Sequence, residues 1–418
     1  MSHSLFLFDD AVARSWEPFS LTRPGGELLY GALLLRERGE RYWGTPCSGH
    51  LTSDTLSGFS EPGSPPTVAL EELPSDRVRI FQSSRVAILG SPPPELQGFV
   101  DAEHSNRKSV TLLVEGEVAG WVIPSGGANP TPEAILDPEV LPKSTVVELD
   151  GAILGAPWDL MAGNANQLRN DIPRFFPGYA VDELPGCHIL GNELVSLGSG
   201  VEVEPGSVFD ATEGPIRLSD GVVVRSHTRL AGPAFIGEDS TVLGGSLGEV
   251  SIGPVCKVRG EVETAVILGF SNKAHDGFFG HGYVGSWVNL GAFTTNSDLK
   301  NNYGPVRVGG RDGPRDTGQM KVGCFLGDHV KTGIGTFLNT GTVVGAGSNI
   351  FGGQMPPTYI PPFSWGVGAD LTEFRLDKFL EVAARAMGRR GRELDDGMVG
   401  LFQRAWEGTM TLRDPSNR

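Results

Sequence analysis

The chain has 418 residues and a formal charge of −16, and 59 of its residues are glycine, about twice average usage. The acidic balance argues against a nucleic-acid partner, since a phosphate backbone would be repelled by the mean field. Four cysteines with no C-x-x-C pair exclude a disulfide framework or a zinc ribbon, and no apolar run is long enough to span a bilayer, so we expect a soluble, cytoplasmic protein with no membrane contact.

In chain order, the short apolar run Leu5–Phe8 lacks a basic flank and reads as a buried first strand, not a signal peptide. Glu27–Tyr42 reads as a helix, Cys47–Pro74 as a surface loop, and Arg79–Leu89, Val110–Val114 and Val118–Ile123 as strands. Trp158–Arg169 reads as a further helix, closed before Pro173. Interleaved strands and helices predict an α/β domain over residues 1–185.

The pattern then changes. Apolar residues recur every six positions at Leu218, Val224, Leu230, Ile236 and Val242, with an earlier run at Leu197, Val203 and Phe209. Later runs comprise Ile252, Val258 and Thr264; Phe278, Val284 and Leu290; and Met320, Leu326, Thr332, Leu338, Val344 and Ile350. Six matches neither the period of a helix nor that of a flat strand, but it suits a parallel β-helix whose corners fall every six residues. Glycine often follows the apolar position, where a small residue permits the corner. This predicts a β-helix over 186–368, with phase breaks at 244–251 and 296–319 as excursions from the coil. The second excursion carries Arg307, Arg311 and Arg315, which suit an anionic ligand. Residues 369–418 read as a helical cap for the open prism, with Arg385, Arg389, Arg390 and Arg392 either on a solvated face or on a phosphate.

The segments Ser271-Asn272-Lys273-Ala274-His275, Gly280-His281-Gly282-Tyr283-Val284-Gly285 and Val288-Asn289-Leu290-Gly291-Ala292 resemble the left-handed β-helix acetyltransferase domain of the bifunctional N-acetylglucosamine-1-phosphate uridyltransferase/glucosamine-1-phosphate acetyltransferase family. The start Leu7-Phe8-Asp9-Asp10, Arg14 and Leu21-Thr22-Arg23-Pro24, with Trp158-Asp159-Leu160, is similar to a divergent branch of bacterial sugar nucleotidyltransferases. The resemblance implies an α/β nucleotidyltransferase-like domain, a left-handed parallel β-helix and a helical tail. It also implies nucleotidyl transfer from a nucleoside triphosphate, UTP by preference, to a sugar-1-phosphate with Mg²⁺, and acetyl-CoA-dependent N-acetylation of an amino-sugar phosphate in a homotrimer.

By the same resemblance, His275 is the acetyltransfer base, while Asn289, Tyr283 and Lys273 contact the sugar. Gly291, Ala292, Asn302 and Tyr303 face CoA, and Phe278 occupies the family's sugar-binding tyrosine position. Arg14 is the catalytic cation for the phosphates, Thr22 and Arg23 bind substrate, and Asp9 or Asp10 holds Mg²⁺. Two further readings stand beside this one. His227, His275 and His281 could hold zinc as in the γ-carbonic anhydrases, and the solenoid could be a non-catalytic trimeric scaffold.

Overall fold

The computed structural model describes residues 3–100, 108–143, 145–177, 183–191 and 194–413. A six-stranded mixed sheet forms the N-terminal domain. Its first strand, His3–Phe8, lies one in from the edge, parallel to both Cys47–Leu51 and Val78–Ser83. Val78–Ser83 then pairs antiparallel with Glu117–Ile123. Three details differ from expectation. Cys47–Leu51 is a strand within the segment read as loop. The first half of the Glu27–Tyr42 helix is instead a small hairpin, Leu29–Tyr30 with Leu33–Leu34, and the helix proper is Leu35–Trp43. Pro173 falls inside the helix Asn164–Phe175, close to its C-terminal end, rather than after it.

From His188 onward the strands stack in parallel as a left-handed β-helix of about ten turns. One inward column shows its construction: Leu218, Ile236, Ile252, Ile267, Val284, Leu326, Val344 and Ile360 are partners in successive coils, and all are buried. The step along this column is 18 residues from Leu218 to Ile236, but 16 to Ile252 and 15 to Ile267. The phase break at 244–251 is therefore a shortened coil rather than an excursion; those residues lie within one long strand, Thr241–Ile252. The excursion at 296–319 is real, and it carries a small antiparallel hairpin, Arg307–Val308 with Arg315–Asp316. Two positions of the six-residue pattern fall outside the core. Met320 is 55% exposed, and Phe279 rather than Phe278 points inward.

The left-handed corners are not reserved for glycine: Gly221 and Gly347 hold two of them, at φ 67° and 71°, and larger residues hold six more. Three residues after the inward column, Asp239, Val255, Phe270, Trp287, His329 and Phe363 all have φ between 52° and 63°. Left-handed backbone is unfavourable for such side chains by roughly 1–2 kcal/mol each. Aromatic stacking opposes that penalty: Phe270 lies on Trp287 at 4.4 Å and Trp287 on His329 at 6.1 Å. Gly253 serves another purpose. A Cβ there would lie 1.9 Å from the carbonyl oxygen of Leu268, so glycine is required by the close approach of the next coil.

The N-terminal domain is fused to the flank of the solenoid. Trp16, Phe19, Leu29 and Trp158 share one apolar core with Val266, Leu268, Tyr283 and Phe325. At its edge the buried Arg23 donates to Asp328 of the solenoid at 3.1 Å and to Glu61 at 2.9 Å, and the Thr22 hydroxyl donates to Asp328 at 2.8 Å. Burial by itself would depress the Arg23 pKa, but the two carboxylates outweigh it and hold the guanidinium above its ordinary range.

The solenoid's terminal coil ends in the hairpin Ser364–Val367 with Asp370–Glu373. The following helices, Leu376–Gly388 and Asp396–Gly408, do not cover the prism end. They lie along its side, where Phe379 and Phe402 pack edge-on against the corner residue His329. They also reach the N-terminal domain through Leu56 and Phe59. Among the described residues no helix is long and apolar enough to cross a membrane.

Removing one partner of a buried ion pair strands the other charge, typically at a loss of about 3–5 kcal/mol. We predict a loss of that size for Asp328→Ala, measured as the shift in urea unfolding; a loss under about 1 kcal/mol would show that the Arg23 contact contributes no more than a surface pair.

Candidate functional site

A groove of about 620 Å³ runs between the side of the solenoid and the helix Leu376–Gly388. Parallel pairing of Lys257 with Asn272, Asn272 with Asn289, and Asn289 with Lys331 places these four side chains in one outward column along the groove. Asn272 donates from Nδ2 to Asn289 at 3.3 Å and accepts from Arg390 at 2.7 Å. His275, just beyond the strand Asn272–Lys273, lies at the groove exposed, and its ring makes no hydrogen bond among the described residues. On the opposite wall, Arg385 comes from the helix and Arg389 and Arg390 from the turn that follows it.

Lys331 is the residue that sequence reasoning missed. Its ammonium donates to the carbonyls of Trp287 and His329, and burial brings its pKa down to about 7 from 10.5. The available signal was a lysine directly before the inward Thr332, which places it on the same outward column as Asn289.

Lys273 pairs with Val258 in the neighbouring coil, a position whose side chain points inward. It is buried, its pKa falls to about 8 through burial, and its ammonium donates to the carbonyls of Arg259 and His275, both at 2.9 Å. It holds the His275 backbone and does not reach the groove as a sugar ligand. Tyr283 is likewise withdrawn. It is fully buried at the domain interface, where its hydroxyl accepts from the Leu29 N–H at 2.8 Å and donates to the Leu29 carbonyl at 3.2 Å. Gly291 lines the groove, but its N–H is engaged with Thr332 and its Cα faces Gly333 too closely for a Cβ. Ala292 is half-buried next to it, its carbonyl accepting from Gly335. Asn302 and Tyr303 are exposed on the excursion and do not line this groove.

In the N-terminal domain, Thr22 and Arg23 are committed to Asp328 and Glu61, which corrects their assignment to substrate. Asp9 ends the first strand, accepting from Ser84 and Thr52 at 2.5 Å each and from the Gly25 N–H at 3.1 Å. Asp10 caps the helical turn at Ala11–Arg14 through the Ala13 N–H and pairs with Arg85 at 2.7 Å. All four carboxylate oxygens thus have protein partners, and among the described residues no three His, Cys, Asp or Glu side chains cluster as a metal site. A preformed Mg²⁺ site on Asp9 and Asp10 does not fit this arrangement. His281 pairs with Asp298 at 2.8 Å, and among the described residues of one chain His227, His275 and His281 form no three-ligand cluster. Arg14 keeps an open setting at the domain junction, half-buried against a second groove.

Residues 5–178 match the model of a sugar nucleotidyl transferase family. The chain is 32% identical over 95 residues to a bifunctional sugar-1-phosphate nucleotidylyltransferase/acetyltransferase of Sulfurisphaera tokodaii, covering 23% of this chain and 24% of that protein. It is 28% identical over 212 residues to the bifunctional protein GlmU of Methanococcus vannielii, covering 49% of this chain and 44% of that one. Over these segments the chain is similar to bifunctional nucleotidyltransferase/acetyltransferase proteins, GlmU among them. The matches span about a quarter and under half of those two relatives' own lengths. A solved Arabidopsis UDP-N-acetylglucosamine acyltransferase aligns over 50% of this chain and 78% of its own at 15% identity, with a TM-score of only 0.24.

Lys331 supplies a pH test. Its folded pKa of about 7 lies below its unfolded value, so the unfolded chain binds the extra proton between these values and stability rises with pH across that window. From pH 7 to 8.5 the urea midpoint of the wild type should climb relative to that of Lys331→Met; parallel profiles would contradict a buried, near-neutral Lys331.

Proposed function

We propose that the chain is a cytoplasmic bifunctional transferase. Its N-terminal domain moves a nucleotidyl group from a nucleoside triphosphate, UTP by preference, to a sugar-1-phosphate. Its solenoid groove acetylates an amino-sugar phosphate from acetyl-CoA. The observation that carries the acetyl-transfer reading is His275, solvent-facing and without a hydrogen-bond partner among the described residues, on a groove that also presents Asn289 and the arginines of the tail.

The chemistry follows from those groups. An imidazole with a reference pKa near 6.5 can accept a proton from the amine as its nitrogen attacks the thioester carbonyl. The carbon–sulfur bond then breaks, CoA leaves as the thiol, and the proton held by His275 is available to the departing sulfur. Asn289 offers an amide for a sugar hydroxyl. Arg389 and Arg390 offer planar donors for the acceptor's phosphate. Asn302 and Tyr303 would meet CoA only from outside this groove, which suits an assembly of several copies. Phe293, Ile334 and Phe337, on adjoining coils, are 63%, 76% and 47% exposed, an apolar surface that supports the homotrimer.

His275→Ala should lower acetyl-CoA-dependent acetylation of glucosamine-1-phosphate by about 10²–10⁴-fold. Pyrophosphate release from UTP and a sugar-1-phosphate should be unaffected in the same preparation. Acetylation persisting within about threefold of wild type would remove His275 from the role of base.

A further inference from the structure

A second groove, of about 600 Å³, lies where the solenoid excursion meets the N-terminal domain. One wall carries Arg14, Ser53, Thr55 and Trp158; the other carries Arg311 and Arg315 from the excursion's hairpin. The volume is ordinary for a small-molecule site. Arg14 sits just beyond the C-terminal end of the first strand, His3–Phe8, the edge at which sheets of this class receive ligands.

The lining carries three arginines, Arg14, Arg311 and Arg315, against two carboxylates, Glu17 and Asp312. Arg14 donates to the peptide carbonyls of Asp9 at 2.9 Å and Thr52 at 3.1 Å, acceptors that orient the guanidinium without neutralising it. The Arg315 guanidinium lies 4.8 Å from the centre of the Trp158 ring and makes no ion pair among the described residues. A ring face likewise fixes a cation while leaving its charge available. Arg311 pairs with Glu17 at 2.7 Å. Two oriented, uncompensated arginines therefore face one groove on a chain of charge −16. Ser53 and Thr55 line the same groove.

We propose that this groove is a phosphate-binding site shared by the two domains, in which Arg14 and Arg315 bind the phosphate groups of a nucleotide or a sugar phosphate. The excursion is then the solenoid's contribution to the nucleotidyl site. The identity of the ligand rests on the nucleotidyl-transfer reading; the binding of polyphosphate does not.

The test is calorimetric titration of the full chain with inorganic triphosphate, UTP and glucosamine-1-phosphate in turn. Loss of a charge-assisted hydrogen bond predicts that Arg315→Gln weakens binding at least about tenfold. Arg307→Gln, on the same hairpin but outside the groove, should stay within about twofold, as expected of an exposed charge. Acetyl transfer should be unchanged in both. Triphosphate and UTP responding together identifies the nucleotide's phosphates as the occupant; a response to glucosamine-1-phosphate alone identifies the sugar phosphate. No binding by the wild type, equal losses in the two variants, or loss of acetyl transfer in Arg315→Gln would overturn the site. Binding that behaves as proposed, in a protein releasing no pyrophosphate with any nucleotide and sugar-1-phosphate pair, would retire the nucleotidyl reading and leave the site standing.

Discussion

Arg23 reaches from the N-terminal domain into the solenoid and is held there between Asp328 and Glu61, with almost no exposed surface. A guanidinium in that position is stable only while both carboxylates remain in place, so the contact fixes the orientation of one domain on the other. Around it the apolar side chains of Trp16, Phe19, Tyr283 and Phe325 exclude water. Both grooves depend on this seating. The shared groove needs the excursion to stand opposite Arg14, and the tail helices that roof the His275 groove are braced in part by Leu56 and Phe59 of the N-terminal domain.

The solenoid was legible in the sequence because its constraint is periodic. One apolar residue per six fills a narrow prism, and the repeat survives local changes in coil length. What the period could not show was how a coil shortens. Between Ile236 and Ile267 the chain drops residues from successive coils while keeping the inward column in register. A repeat search sees only a lost phase there. Nor could composition distinguish two kinds of glycine site. Gly221 and Gly347 hold left-handed corners that stacked Phe270, Trp287 and His329 hold in other coils, whereas Gly253 exists because the next coil passes too close for a side chain.

The sites were legible only in part, for a related reason. A motif records which residues belong together and does not record which way each one faces. His275 and Asn289 do meet at one groove, as the resemblance implied. Lys273 and Tyr283 share the same motif, yet the first occupies an inward register position and the second is buried beneath the N-terminal domain. Thr22 and Arg23 similarly carry the look of phosphate ligands while bonding Asp328, some three hundred residues away in sequence. Such a partner leaves no local trace, because nothing near Asp328 announces a cation. Lys331 was hidden in the same way, separated from Asn289 in sequence by the excursion yet stacked directly on it.

Buried contacts across the domain boundary make the two domains one mechanical unit, and the shared groove is a consequence. Differential scanning calorimetry of the intact protein tests this most directly. Domains joined by a common core and a buried ion pair should unfold together in a single heat-absorption peak. Two resolved peaks, with the N-terminal domain melting apart from an intact solenoid, would contradict the account.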